Sequence, residues 1–292
     1  MNYDLRLRFT YSYESPVGGG RHLIRVMPLT RPGEQRVIAA SLAFDPVPSE
    51  RSEGVDYFGN QMTAITYRDA HDKLDIRMTA RVGVERASAP DTAATLLADL
   101  PGELARNRSM APASPHHFLA DSPYVGRDPE ITAYARDVIA GARDLGEAAM
   151  ALCLGIDRDF SYDSKATDVR TPPDEAFRLR RGVCQDFSHV MIAGLRGLGI
   201  PAGYVSGFLR TIPPPGKDRL EGADAMHAWV RVWCGEAAGW REFDPTNAMA
   251  AGNDHIVVGY GRDYADVAPI VGVLRASGNQ DADHSVDVIP VP

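Results

Sequence analysis

The alternation of apolar and polar residues changes along the chain near residue 90. Before that point, several stretches alternate with a period of two, which is typical of β-strands with one buried face. Turn sequences such as VGGG and RPGE separate the stretches YDLRLRFTYSY, RHLIRVMPL, QRVIAASLAFDP, NQMTAITYRD and KLDIRMTARVGVE. We therefore predict an N-terminal antiparallel β domain, a sandwich or a barrel, over residues 1–90.

Helical spacing replaces the strand pattern further along the chain. Residues 91–128 have no clear period and contain several prolines, so we predict a linker with one short helix around DTAATLLADL. From Pro129 the apolar residues recur at helical spacing, with a break near Gly141, and a further helix is predicted at TPPDEAF. A third helical pattern begins at Cys184, within RRGVCQDFSHVMIAGL.

Strand patterns return after the Cys184 helix, in AGYVSGFLR, MHAWVRVWC and GWREFDP, and a last one lies in SVDVIPV. Strands, then helices, then strands again indicate the α+β fold class. We place a second domain over residues 129–262 and a C-terminal extension over residues 263–292.

Composition and charge exclude several classes of protein. The 292 residues exceed one typical domain, and the net charge of -8 makes nucleic acid or an anionic membrane surface an unsuitable partner. The start, MNYDLRLRF, lacks the pattern of a secretory leader, and no apolar run reaches the ~20 residues of a membrane span. Three cysteines cannot all pair, and their spacing does not suit a metal. We therefore expect a cytoplasmic protein without metal or cofactor, and we make no prediction of its oligomeric state.

Cys184 is the candidate nucleophile. The N-terminus of a helix has unpaired backbone N–H groups and the positive end of the helix dipole, and both favour a thiolate over a thiol. The alternative is a buried structural cysteine, because free cysteine is among the most buried residue types. Cys153 lies on an apolar helix stripe, and Cys234 lies at a predicted hairpin end beside Glu236, where we expect it to be partly exposed and to stay a thiol.

A thiolate of this kind needs a base, and the base needs a third group to orient it. His227 is the candidate base, because its strand MHAWVRVW is followed by a turn and the strand WREFDPTN. If Trp233 pairs with Ala238 across a four-residue turn, His227 lies opposite Asp244 on the same face. The alternative is a surface histidine beside an aspartate that ends a strand. We assign no chemical role to the other histidines, including His255 of the C-terminal tail.

Three blocks of sequence, in this order, resemble the transglutaminase-like superfamily of papain-type thiol enzymes. They are RRGVCQDFSHVMIAGLRGLGIPAGYVSGF, DAMHAWVRVW and GWREFDPTN. The resemblance implies a core in which the cysteine helix packs on an antiparallel sheet, with Cys184 as nucleophile, His227 as base and Asp244 as its orienting group. YESPVGGGRHLIRVMPL in the β domain and GYGRDYADVAPIVG near the end resemble the bacterial subgroup that carries an N-terminal β domain.

The chemistry implied by this resemblance is acyl transfer from an amide through a thioester on Cys184. The oxyanion that forms needs hydrogen-bond donors, and the backbone N–H of Cys184 is the first candidate, with Gln185 or Tyr162 as the second. Gly182 is expected to leave room for a substrate, and Trp229 is a candidate wall of the cleft. Tyr162 and Trp229 also have a plain interpretation as packing aromatics.

Three functions are consistent with these residues: a thiol peptidase or amidase acting on a peptide or protein, a protein-glutamine transamidase, and a non-catalytic peptide-binding module. Hydrolysis is favoured because the sequence has no acidic D-x-D-x-D-G loop that would bind calcium and control a cross-linking enzyme. The proline-rich segment TIPPPGKDRLEGADA, between Arg210 and Met226, is predicted to border the substrate cleft.

Overall fold

Residues 1–86, 93–211, 224–275 and 278–291 are described by a computed structural model. The N-terminal region consists of the strands β1 (Asn2–Ile24), β2 (Gln35–Asp45), β3 (Glu50–Val55), β4 (Gln61–Tyr67) and β5 (His71–Val84). The rest of the chain contributes, in order, α1 (Leu100–Arg106), α2 (Pro129–Val138), α3 (Leu145–Asp159), β6 (Ser161–Tyr162), α4 (Pro173–Leu179), β7 (Arg181–Gly182), α5 (Cys184–Gly197), β8 (Ala202–Leu209), β9 (Met226–Trp233), β10 (Trp240–Asp244), β11 (Met249–Ala250), β12 (His255–Gly261), α6 (Tyr264–Val267), β13 (Ile270–Arg275) and β14 (Gln280–Val291).

The long strand β1 organises the N-terminal sheet. The order is β2-β5-β1-β4-β3, and β13 and β14 pair along the remaining edge of β1. The first half of β1 lies between β5 and β14, and the second half lies between β4 and β13. A register shift between Ser12 and Val17 and the left-handed Gly19 separate the two halves. The result is a curled antiparallel sheet, so the predicted β domain and the α+β fold class are confirmed.

The end of the chain belongs, in space, to its beginning. The predicted strand SVDVIPV lies within β14, which runs antiparallel to β1 from Asn2 opposite Val291 to Tyr13 opposite Gln280. The preceding strand β13 was not predicted. The C-terminal extension drawn from the sequence at residues 263–292 therefore completes the N-terminal sheet.

The second half of the chain places α5 against a five-stranded antiparallel sheet. The order of this sheet is β11-β10-β9-β8-β12, and α5 packs on β8 and β9. The predicted break near Gly141 separates α2 from α3, and Asp128 and Asp144 cap these helices by accepting the N–H groups of Ile131 and Glu147, each at 2.8 Å. The helix predicted from Cys184 begins at that residue.

The prediction of a short helix around DTAATLLADL is wrong for the described residues of that segment. Residues 91 and 92 lie outside the described residues, and α1 begins only at Leu100, where the predicted helix ends. Thr95 instead donates its N–H to the carbonyl of Cys234 at 2.9 Å and accepts the N–H of Leu145 at 3.0 Å, so the core holds this segment extended. Across the described ranges, we find no helix with both the length and the apolar composition needed to cross a membrane.

Candidate active site

Cys184 is the first residue of α5, and its side chain is partly exposed. The turn before it is held by Asp186, whose carboxylate accepts the N–H of Val183 at 2.8 Å and the hydroxyl of Thr167 at 2.6 Å. Within the described ranges, the N–H of Cys184 has no protein acceptor. This N–H is therefore available to a negatively charged oxygen beside the sulfur.

Gly182 has a different local role from the one expected. A Cβ atom on this residue would lie 2.5 Å from the Asp186 Oδ2 atom, so the missing side chain makes room for that carboxylate. We expected the room to serve an approaching substrate. The glycine instead allows the turn that carries Cys184 to close on Asp186.

His227 and Asp244 lie together at the ends of β9 and β10. The Nε2 atom of His227 is 2.8 Å from Oδ2 of Asp244, and the Asp244 side chain is 0% exposed. Asn247 donates its side-chain amide to the same Oδ2 at 2.7 Å, and the N–H of Thr246 lies 2.9 Å from Oδ1. Buried and held by these donors, Asp244 keeps one oxygen directed at His227.

The strand register that brings His227 and Asp244 together differs from the predicted one. Trp233 pairs with Trp240 and not with Ala238, so the register is shifted by two residues. A shift of two keeps every side chain on its face, because side chains alternate along a strand. His227 and Asp244 therefore remain on one face, as diagonal neighbours.

Asp244 and Cys184 both act on the pKa of His227. Burial lowers the pKa of His227, but hydrogen bonds to Asp244 and Cys184 and the charges of both groups raise it to about 10. Burial also raises the pKa of Asp244, and the hydrogen bonds from His227 and His255 bring it well below the usual range. Because Nε2 of His227 is engaged by Asp244, Nδ1 is the nitrogen left for Cys184. At neutral pH His227 is thus an imidazolium placed between Asp244 and Cys184.

His255 is the residue that sequence reasoning missed. It lies at the start of β12, its side chain is 1% exposed, and its Nε2 atom is 3.0 Å from Oδ2 of Asp244. Asp244 therefore accepts hydrogen bonds from two histidines at one oxygen. No local signal marks His255, because β12 and β10 are separated by two other strands in the sheet.

The remaining candidates occupy different places around the sulfur. The Gln185 side chain donates to the carbonyl of Val169 at 3.0 Å, which directs its amide away from an oxyanion role. Tyr162, 62% exposed, lies on β6 beside the Cys184 turn, and burial and the Cys184 charge raise the pKa of its phenol. Trp229 is fully buried and stacks on His227 with ring centres 6.0 Å apart, so it packs against one face of the imidazole.

The other two cysteines are shielded. Cys153 and Cys234 are both fully buried, and burial, the largest cause in each case, raises the pKa of each thiol to about 12. The expectation that Cys234 is partly exposed is wrong, because Thr95 packs across the hairpin that carries it. The Cys153 thiol donates to the backbone carbonyl of Asp244 at 3.2 Å.

One group of side chains in the described part of the chain has the composition of a metal site. The donor atoms of His227, Asp244 and His255 lie within 4.8 Å of one another. Hydrogen bonds of 2.8 and 3.0 Å join both imidazoles to the same carboxylate oxygen, which accounts for the grouping. A bound ion would have to replace both of these bonds.

The predicted cleft segment between Arg210 and Met226 is mostly outside the described residues, which omit residues 212–223. Its two ends are close together, since the N–H of Thr211 lies 3.2 Å from Oδ1 of Asp224. The chain leaves the sheet after β8, which ends at Leu209. It enters β9 at Met226, directly before His227. Its contact with a substrate stays a prediction.

Comparison with known proteins identifies the family. Residues 132–245 match the family model "Transglutaminase-like superfamily", and residues 3–83 match "Bacterial transglutaminase-like N-terminal region". An uncharacterized protein of Mycobacterium tuberculosis is 39% identical over 264 residues, which are 88% of this chain and 82% of that protein. The chain belongs to the transglutaminase-like superfamily. The resemblance carried by the three sequence blocks is confirmed.

Further relatives of this transglutaminase-like protein agree with the assignment. An uncharacterized protein of Mycobacterium leprae is 31% identical over 283 residues, which are 95% of each chain. The crystal structure of "a Putative Cysteine Protease from Cytophaga hutchinsonii" superposes with a TM-score of 0.75 at 23% identity, covering 99% of this chain and 90% of that one. That neighbour shares the fold. Cys184, His227 and Asp244 all lie in the part that matches the transglutaminase-like core, and membership of the superfamily supports a thiol-dependent enzyme.

Proposed function

We propose that this transglutaminase-like protein hydrolyses amide bonds of a peptide or protein substrate, with Cys184 as nucleophile, His227 as general base and acid, and Asp244 as the orienting group. The observation that carries the proposal is the position of His227, which bonds Asp244 through Nε2 at 2.8 Å and interacts with Cys184 on its other side. A histidine held in this way can move one proton at Nδ1 while Nε2 stays protonated.

The first half of the reaction forms a thioester. The Cys184 thiolate attacks the amide carbonyl, and the N–H of Cys184 at the start of α5 donates to the oxyanion. His227 then gives its Nδ1 proton to the departing amine, so the C–N bond breaks and the acyl group stays on the sulfur. Tyr162, beside the turn, is our candidate for the second oxyanion donor.

The second half of the reaction transfers the acyl group to water. Neutral His227 takes a proton from the attacking water, the C–S bond breaks, and the Cys184 thiolate and the imidazolium are restored. Partial exposure of Cys184 supports water as the acceptor, because solvent reaches a thioester at that position. A transamidase would instead have to favour an amine over water at the same sulfur.

The test separates hydrolysis from transamidation in one mixture. The full chain is incubated with a library of glutaminyl peptides and a biotin-labelled primary amine, and mass spectrometry identifies the products. We expect peptide cleavage or conversion of side-chain amides to acids, abolished in Cys184→Ser. Amine adducts in excess of free acid would instead identify a transamidase.

A second arm addresses the peptide-binding module. If neither product forms, binding of the same library to Cys184→Ser and to the unsubstituted protein is compared by pull-down and mass spectrometry. Peptide binding together with a Cys184 that alkylates no faster than the buried cysteines would replace the enzymatic proposal.

A further inference from the structure

His255 reaches the site from a distant strand. β12 lies beyond β8, so two strands separate it from β10, yet Nε2 of His255 is 3.0 Å from Oδ2 of Asp244. The N–H of Gly252 points at Nδ1 of the same ring, at 3.1 Å. Because Nδ1 accepts this bond, the proton of a neutral His255 is on Nε2, and His255 donates to Asp244.

We propose that His255 is a positioning residue, which acts through Asp244 to keep the Cys184–His227 ion pair intact; the inference rests on the function proposed above. An aspartate that is 0% exposed favours its neutral form unless donors compensate for the lost water. His255 is one of the three side chains that supply donors to Oδ2, with His227 and Asn247.

His255 affects which group, His227 or Asp244, holds the proton that lies between them. If Asp244 became basic enough to take the Nε2 proton of His227, the imidazolium would become neutral and the Cys184 thiolate would lose its opposite charge. A hydrogen bond from His255 lowers the basicity of Asp244, so both protons stay on His227. His255 itself touches neither the sulfur nor the substrate.

Packing holds the His255 ring in place. Trp229 stacks on His227 and meets His255 edge-on, with ring centres 5.2 Å apart. Gly207 of β8 makes this arrangement possible, because a Cβ on this residue would lie 2.5 Å from Cη2 of Trp229. The indole therefore fills the space left by Gly207 and fixes the direction of both histidines.

Two substitutions separate positioning from packing. His255→Leu keeps the apolar volume and removes the donor, whereas His255→Gln places an amide N–H near the former Nε2 atom. In His255→Leu we expect alkylation of Cys184 by iodoacetamide at about pH 6, and kcat on a cleaved peptide, to fall about tenfold or more, with KM unchanged. His255→Gln should restore most of both rates.

Equal losses in the Gln and Leu variants, or no loss in His255→Leu, would overturn the proposal. The alkylation arm needs no substrate, so a protein that cleaves nothing would refute the proposed function while the comparison of the two variants still decides the role of His255. If His255→Leu does not fold, NMR of the unsubstituted protein labelled with ¹⁵N-histidine decides instead. A proton on Nε2 of His255 is the expected signal, and a proton on Nδ1 contradicts the inference.

Discussion

At the scale of single residues, the three cysteines differ in what surrounds each sulfur. Cys184 is partly exposed and faces His227, whereas Cys153 and Cys234 are buried and burial raises the pKa of each thiol to about 12. We therefore predict that iodoacetamide at about pH 6 labels Cys184 well ahead of the other two. Peptide mass spectrometry of the alkylated protein measures the order.

Two variants show whether this reactivity comes from the neighbouring groups. His227→Ala should slow the labelling of Cys184 strongly, because it removes the imidazolium. Asp244→Ala should slow it less, because the imidazole remains beside the sulfur and loses only one of its two partners. Labelling of Cys184 at the rate of Cys234 in the unsubstituted protein would end the catalytic interpretation.

The raised pKa of His227 also predicts how stability depends on pH. Its folded value of about 10 lies above its ordinary value of 6.5, so the stabilisation from the charged imidazole is fully present below about 6.5 and is lost as the pH rises through about 10. Urea unfolding at a series of pH values should show this loss in the unsubstituted protein. The loss should be smaller in Cys184→Ser, which removes one of the two groups that raise the pKa of His227, and an equal loss would assign it to other groups.

At the scale of elements, the turn before α5 depends on the absence of a side chain at residue 182. Gly182→Ala places a methyl group 2.5 Å from Asp186, so we expect the bonds from Asp186 to Val183 and Thr167 to loosen. The predicted cost is about 1–3 kcal/mol in the free energy of unfolding. Cys184 alkylation should slow as well, because the turn that carries the sulfur shifts.

The control is Gly141→Ala, in the break between α2 and α3. A Cβ there meets nothing within 4 Å, so stability should change by less than about 1 kcal/mol. Equal destabilisation by the two substitutions would show that the loss at Gly182 is a general effect of replacing glycine.

The elements show which parts of the site could be predicted from the sequence. Periodicity located the helix of Cys184 and the strands of His227 and Asp244, because each element buries one face and its pattern is local. The register of β9 and β10 was off by two residues, since the hairpin is longer than the four-residue turn assumed: Cys234 donates to the carbonyl of Gly239 at 2.8 Å. Alternation constrains the face of a residue more strongly than its partner.

His255 shows what the sequence alone could not indicate. Its contact with Asp244 joins β12 to β10 although β8 and β9 lie between them in the sheet, and it depends on the space at Gly207, which no local pattern encodes. The same holds for β13, whose partner β1 lies at the other end of the sequence. Long-range strand pairing is fixed by tertiary packing, and so neither contact could be derived from neighbouring residues.

At the scale of the whole molecule, a buried ion cluster joins the N-terminal sheet to the site. Arg31 and Arg86 each lie 2.9 Å from the carboxylate of Glu242, which also accepts the indole N–H of Trp229 at 2.8 Å. Glu242→Gln removes the counter-charge that the largely buried Arg86 has in this cluster, and it leaves Arg31 with Glu34 as its remaining carboxylate partner. We expect a loss of about 3–5 kcal/mol in the free energy of unfolding, measured by urea titration.

A matched surface pair serves as the control for Glu242. Arg81 bonds Asp4 on the solvent side of the N-terminal sheet, and exposed pairs contribute little to stability. Arg81→Ala should therefore leave the unfolding midpoint nearly unchanged. A shift as large as that of Glu242→Gln would mean that burial does not distinguish the two sites.

A fragment that begins near Ser109 tests how far the two halves depend on each other. It contains Cys184, His227 and Asp244 but lacks β1, so β13 and β14 lose the strand on which they lie. We expect the fragment to be insoluble or partly unfolded, and co-expression with residues 1–86 to restore it. A soluble fragment with Cys184 as reactive as in the full chain would show instead that the core is independent.

The pairing of β1 with β14 also sets the order of folding. Asn2 lies opposite Val291, so β1 leaves the ribosome long before its partner strand β14 is made. Closing so long a loop is slow, because the contact must overcome the entropy of all the residues between. Until residues 280–291 emerge, one edge of β1 is open to pairing with another chain. Synthesis of this protein should therefore depend on chaperones. Pauses in translation just before the codons for residues 280–291 should increase its aggregation.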